Sequence, residues 1–161
     1  MPPDELTPFL SRMNSLLQGR VCILGFGNRL WRDDGVGSCI AEALQNCPNL
    51  DSIDGGFVPE NHLEIVARKN PDTILMIDAA DFGGTPGETC LLQSGDVAVA
   101  GVSTHAGSPQ MLGKYLEART GARVALLAIQ PKDTSQGNQL SPEVSATLTE
   151  LVKQIKTSCL V

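Results

Sequence analysis

The sequence predicts an α/β fold: a single three-layer domain with a mostly parallel, twisted sheet of about five strands between helices. Three observations predict it. Strand-like and helix-like stretches alternate from one end of the chain to the other. The clearest strands are unbroken apolar runs, the pattern of strands buried on both faces. The chain has 161 residues, 42% of them hydrophobic, enough for about one domain with its own core.

Residues 5–18 place Leu6, Phe9, Leu10, Met13, Leu16 and Leu17 at helical spacing. Thr7 reads as the cap of that helix, Pro8 as its first residue and Gly19 as its end. Val21-Cys22-Ile23-Leu24 is a short apolar strand stopping at Gly25, and Val36 to Gln45 a helix with Ile40, Ala41 and Leu44 on one face. Leu50 to Ile53 is a second strand, ending at Asp54-Gly55-Gly56. Pro59 and Glu60 open a helix through Ala67, with Leu63 and Val66 inward. Thr73 to Ile77 is the strongest strand, β-branched and apolar, and it ends at Asp78. Gly83 to Gly87 is a turn, and Glu88 to Leu92 a further strand. Ser108-Pro109 starts a helix through Ala118, Arg123 to Ile129 is a buried strand, and Ser141-Pro142-Glu143 begins the last helix. In such a sheet, ligands bind beyond the carboxyl ends of the strands, near the switch in strand order.

Composition excludes several classes of function. The net charge is −6, from 12 basic and 18 acidic residues, and no basic cluster exists to neutralise nucleic-acid phosphates. One Trp, one Tyr and four Phe do not supply a platform for stacking bases. No apolar run approaches the roughly 18 residues of a membrane span. The amino-terminal MPPDELTPF carries acids and prolines where a secretory signal has a basic patch and an apolar stretch, so a cytoplasmic location is expected. Five cysteines, an odd number without C-x-x-C spacing, read as small buried hydrophobes in a reducing compartment.

Three places carry chemistry. Gly25-Phe26-Gly27-Asn28-Arg29-Leu30 follows a strand as a dinucleotide fingerprint does, but Leu30 stands at the third glycine. Asp33-Asp34 would also repel a phosphate where bare amides are required. One acid of that pair can cap the next helix; a second brings like-charge repulsion with no second cap to make. Asp78 ends an apolar strand at the functional edge of the sheet, where it either serves the site or accepts hydrogen bonds from loop amides. His105 lies in the loop before Ser108, as a site residue or a structural one; His62 reads as a surface or capping residue. Two strand-end carboxylates and one imidazole form a ligand set with open positions, suited to catalysis, and do not by themselves name the metal.

At these residues the chain resembles the [NiFe]-hydrogenase maturation endopeptidases. The likeness is carried by Leu24-Gly25-Phe26-Gly27-Asn28-Arg29-Leu30, Asp33-Asp34-Gly35-Val36-Gly37, Asp54-Gly55-Gly56, Pro59-Glu60-Asn61, Ile77-Asp78-Ala79-Ala80-Asp81 and Thr104-His105. It runs from Val21 to the final helix. On this resemblance residues 1–161 form one maturation-protease-like domain, and residues 1–20 add a helix ahead of the strand with which many relatives begin. The family cuts a carboxy-terminal extension from the precursor of a hydrogenase large subunit after nickel insertion. The resemblance implies Asp34, Asp78 and His105 as catalytic and metal-ligating residues. It implies Asn28, Asp54, Gly55 and Gly56 as substrate-binding ones. The nickel is brought by the substrate, so the isolated site is expected empty or holding another divalent cation. The expected partner is the large-subunit precursor, met by a monomer with no nucleic acid and no membrane insertion. Two other readings are a nickel-binding assembly chaperone that does not cut, and a dinucleotide-binding enzyme.

Overall fold

The computed structural model describes residues 3–93, 96 and 108–159. Among the described residues ten helices and strands follow in order: α1 (Pro3–Leu16), β1 (Val21–Gly25), α2 (Val36–Ala43), β2 (Leu50–Asp54), α3 (Leu63–Arg68), β3 (Thr73–Ala79), β4 (Thr89–Gln93), α4 (Pro109–Thr120), β5 (Arg123–Ile129) and α5 (Pro142–Cys159). Short 3-10 turns, Arg32–Gly35 and Pro59–His62, precede α2 and α3. The strands form one five-stranded sheet in the order β2-β1-β3-β5-β4. Four run parallel, and β4 pairs antiparallel with β5, Thr89 opposite Ile129. This is the α/β class the sequence predicts, with one edge strand reversed.

Strand alternation sorts the core into two layers. Val21 and Ile23, Leu75 and Ile77, and Ala125 and Leu127 share one cluster with α1, α2 and α5. Cys22 and Leu24, Ile74 and Met76, and Val124 and Leu126 share the other with α3 and α4. By the same alternation, Asp78 stands on the α3 and α4 side. The three inner strands are buried almost throughout, which is why they read as continuous apolar runs.

Two local expectations are corrected. The first helix begins at Pro3, not at a Thr7 cap, and Pro8 lies inside it. Proline there forfeits one backbone bond, while Phe9, Met13 and Leu17 pack into the core and hold the turn. The helix foreseen from Pro59 is a 3-10 turn that becomes α-helical only at Leu63, so His62 ends that turn at the N-cap position of α3 and makes no side-chain cap bond.

From β1 the chain crosses to β2 on one side and later returns to β3 on the other. The switch in strand order therefore lies between β1 and β3. The carboxyl ends of these two strands, Gly25 and Ala79, border the crevice where such sheets keep their ligands.

Candidate active site

The glycines after β1 bring the start of α2 into backbone contact with β1 and β3. A Cβ on Gly37 would lie 2.1 Å from the Ile77 carbonyl oxygen and 2.5 Å from that of Phe26. One on Gly25 would lie 2.0 Å from the Gly37 carbonyl oxygen, and one on Gly27 would lie 1.8 Å from that of Asp34. Gly27 also has a φ of +140°, which side-chain-bearing residues rarely adopt. The glycine string thus makes room for the protein's own backbone.

This packing carries the Arg32–Gly35 turn, and with it Asp33 and Asp34, to the mouth of the crevice. The two acids have different tasks. Asp33 is fully buried and accepts from the amides of Lys132 (2.9 Å), Asp133 (3.0 Å) and Ser141 (2.7 Å) and from the Ser141 hydroxyl (2.9 Å). It anchors the loop between β5 and α5. Asp34 is also buried, and its Oδ2 accepts from the Asn28 amide at 2.9 Å. Neither acid caps α2, whose N-cap is Gly35 without a side-chain bond. The cap expected of one of them is instead a tether to a distant loop.

Asp78 is the penultimate residue of β3 and has no solvent exposure. Among the described residues neither of its carboxylate oxygens has a hydrogen-bond partner. Burial pushes its pKa well above the usual carboxylate range, and the negative charge of Asp34 pushes it further. A buried polar group without a partner is costly. Among the described residues no loop amide bonds to Asp78, and the neighbouring Ala79 amide offsets only part of the upward shift. Two carboxyls of like charge, one lacking a hydrogen bond among the described residues, fit a cation arriving from outside.

Asp54, at the end of β2, is occupied. Its Oδ1 accepts from the Ser38 hydroxyl (2.6 Å) and the Gly56 amide (2.9 Å), and its Oδ2 from Arg29 (3.1 Å). Gly55 is buried, whereas the Gly56 Cα opens on free space, with nothing within 4 Å of a Cβ placed there. Asn28 is half-buried, and its side-chain oxygen accepts from the Leu30 amide at 3.0 Å. Sequence reasoning missed Arg29, which joins this turn to α2; only its place inside the glycine string marked it. His105 lies outside the described residues. Among those residues no group of three His, Cys, Asp or Glu side chains is gathered to hold a metal. Asp34 and Asp78 alone leave such a set one donor short.

The family profile of HycI, hydrogenase maturation protease, matches residues 36–158. The chain belongs to this family. Its relative from Escherichia coli K12, the hydrogenase 3 maturation protease, is 35% identical over 112 residues, covering 68% of this chain and 71% of that one. The crystal structure of the [NiFe] hydrogenase maturation protease HycI from Thermococcus kodakarensis superposes with a TM-score of 0.84 at 26% identity, over 93% of this chain and 99% of that one. The solution structure of the endopeptidase HycI from Escherichia coli gives 0.74 at 25% identity, over 86% and 90%. As a hydrogenase maturation protease the chain is a peptide-bond hydrolase. Among the described residues, no helix of this protease is long and apolar enough to cross a membrane.

Proposed function

We propose that this protein removes the carboxy-terminal extension from the large-subunit precursor of a [NiFe]-hydrogenase after nickel has been inserted. Asp34, Asp78 and His105 recognise the nickel that the precursor carries. The observation that carries this reading is Asp78: a wholly buried carboxyl at the switch in strand order, with no hydrogen bond to either oxygen among the described residues. Asp34 lies near enough for its charge to weigh on that carboxyl. Such an arrangement is costly in the free protein, and a cation on the docking partner relieves it. His105 stands three residues before Ser108, the N-cap of α4, and α4 packs on the face of the sheet that Asp78 shares.

The metal supplies Lewis acidity toward the carbonyl of the scissile bond. The chain's own residues orient and sort. Asp34, steadied by the Asn28 amide, and Asp78, fixed by the rigid end of β3, hold the docked centre at one place along the precursor. Gly56 lets the precursor backbone approach closely, while Asp54 shapes that turn from behind. A precursor without nickel leaves Asp78 unpaired and docks weakly, so cutting follows metal loading. In this reading the protease works as a cytoplasmic monomer, with residues 1–161 as one functional unit and residues 1–20 added ahead of it.

Incubation with nickel-loaded and nickel-free precursor, followed by mass spectrometry, tests the proposal. Shortening of the loaded form alone is expected. Equal cutting of both would refute metal gating, and tight docking with no shortening would identify an assembly chaperone.

A further inference from the structure

Arg29 lies in the glycine string, yet its side chain turns away from the crevice and into a clasp. Its Nε donates to the Ser38 hydroxyl at 2.8 Å, and one Nη reaches both the Ser38 carbonyl (3.1 Å) and Asp54 (3.1 Å). The other Nη pairs with Glu42 at 2.6 Å. One guanidinium thus joins the loop after β1 to α2 and to the end of β2. Lysine, with a single ammonium, reproduces neither the fork nor its planarity.

The backbone on either side of that clasp touches the candidate site. The Gly27 amide donates to the Gly56 carbonyl at 2.7 Å, and the Asn28 amide to Asp34 at 2.9 Å. A Cβ on Gly35 would sit 2.6 Å from the Arg29 Cα, so loop and acid-bearing turn are in backbone contact. The far side of the clasp is Asp54, which orders the Gly56 amide.

We propose that Arg29 is a positioning residue: by locking loop 27–30 onto α2 and the end of β2, it fixes the Asn28 amide on Asp34 and the Gly56 turn beside it. The consequence for cleavage rests on the function proposed above; the consequence for the loop does not. The Arg29 side chain is 39% exposed, so its replacement leaves the core intact.

The experiment compares R29M and R29K with the wild-type chain, by amide hydrogen exchange and by cleavage of nickel-loaded precursor. In R29M the Asn28, Gly27 and Gly56 amides should exchange at least about tenfold faster, while those of β3 stay unchanged. Cleavage kcat should fall about tenfold with KM within twofold, the sign of a misplaced catalytic group. R29K should lie between the two proteins in both measurements, since it restores the charge but not the fork. Unchanged exchange at the three amides would overturn the clasp. A raised KM at constant kcat would overturn positioning in favour of direct substrate contact. If the wild-type chain cuts no precursor, the proposed function fails, and the exchange data alone still decide for or against the clasp.

Discussion

Replacing Asp78 by Asn should stabilise the free protein and abolish its activity. In the wild-type chain the Asp78 carboxyl is raised by burial and by the charge of Asp34, so the native state keeps its proton to higher pH than the unfolded chain does. Below about pH 4 both states are protonated and the shift has no effect. Above it the unfolded chain ionises first, and wild-type stability falls by about 1.4 kcal/mol per pH unit until the native carboxyl ionises as well. Asn does not ionise, so the D78N protein escapes that loss. For a domain of this size about 1 kcal/mol moves Tm by roughly 2–4 °C, so above about pH 4 the gap between D78N and wild type should widen by roughly 3–6 °C per pH unit for as long as the native carboxyl keeps its proton. Calorimetry at half-unit pH steps reads the gap directly. A gap that does not change with pH, or a D78N protein less stable than wild type at pH 6, would show that Asp78 is satisfied in the native fold. Cleavage by D78N should fall at least about 100-fold, the ordinary trade of stability for function at a site.

Four further outcomes follow from the geometry. G37A should lose about 3 kcal/mol in urea unfolding, because its Cβ meets the Ile77 carbonyl oxygen at 2.1 Å. G56A, with nothing within 4 Å, should lose only about 1 kcal/mol from its φ of +57°. D33A should cost about 3–5 kcal/mol by leaving four donors unpaired, and limited proteolysis should then cut between residues 132 and 141. Zinc or nickel added at pH 7.5 should raise the wild-type Tm, by about 2.7 kcal/mol of stabilisation at a hundredfold excess over Kd, and leave D78N unmoved; an equal rise in both would place the ion elsewhere.

Much of the fold was legible because each strand and helix is announced within its own few residues. Thr73 to Ile77 can only be an inner strand, since no polar side chain interrupts it until Asp78. Beta4 was legible as a strand but not in direction, because the turn from Gly83 to Gly87 is compatible with either sense. Of the candidate site, Asp78 could be placed at a strand end from the pattern alone, whereas Asp34 was singled out from its neighbour Asp33 only by the family resemblance. That Asp54 is engaged by Ser38, Gly56 and Arg29 could not, since nothing near it in sequence shows those donors.

The chain's own order of residues determined the strands, the helices, the crevice and the presence of acids beside it, because burial and backbone preference are written locally. Only the tertiary structure decided which acid of the pair anchors a loop and which faces the crevice, and why the glycines must be glycines. The physical reason is distance along the chain: the donors that claim Asp33 lie 99 to 108 residues away. The carbonyl that forbids a side chain on Gly37 belongs to Ile77, on another strand.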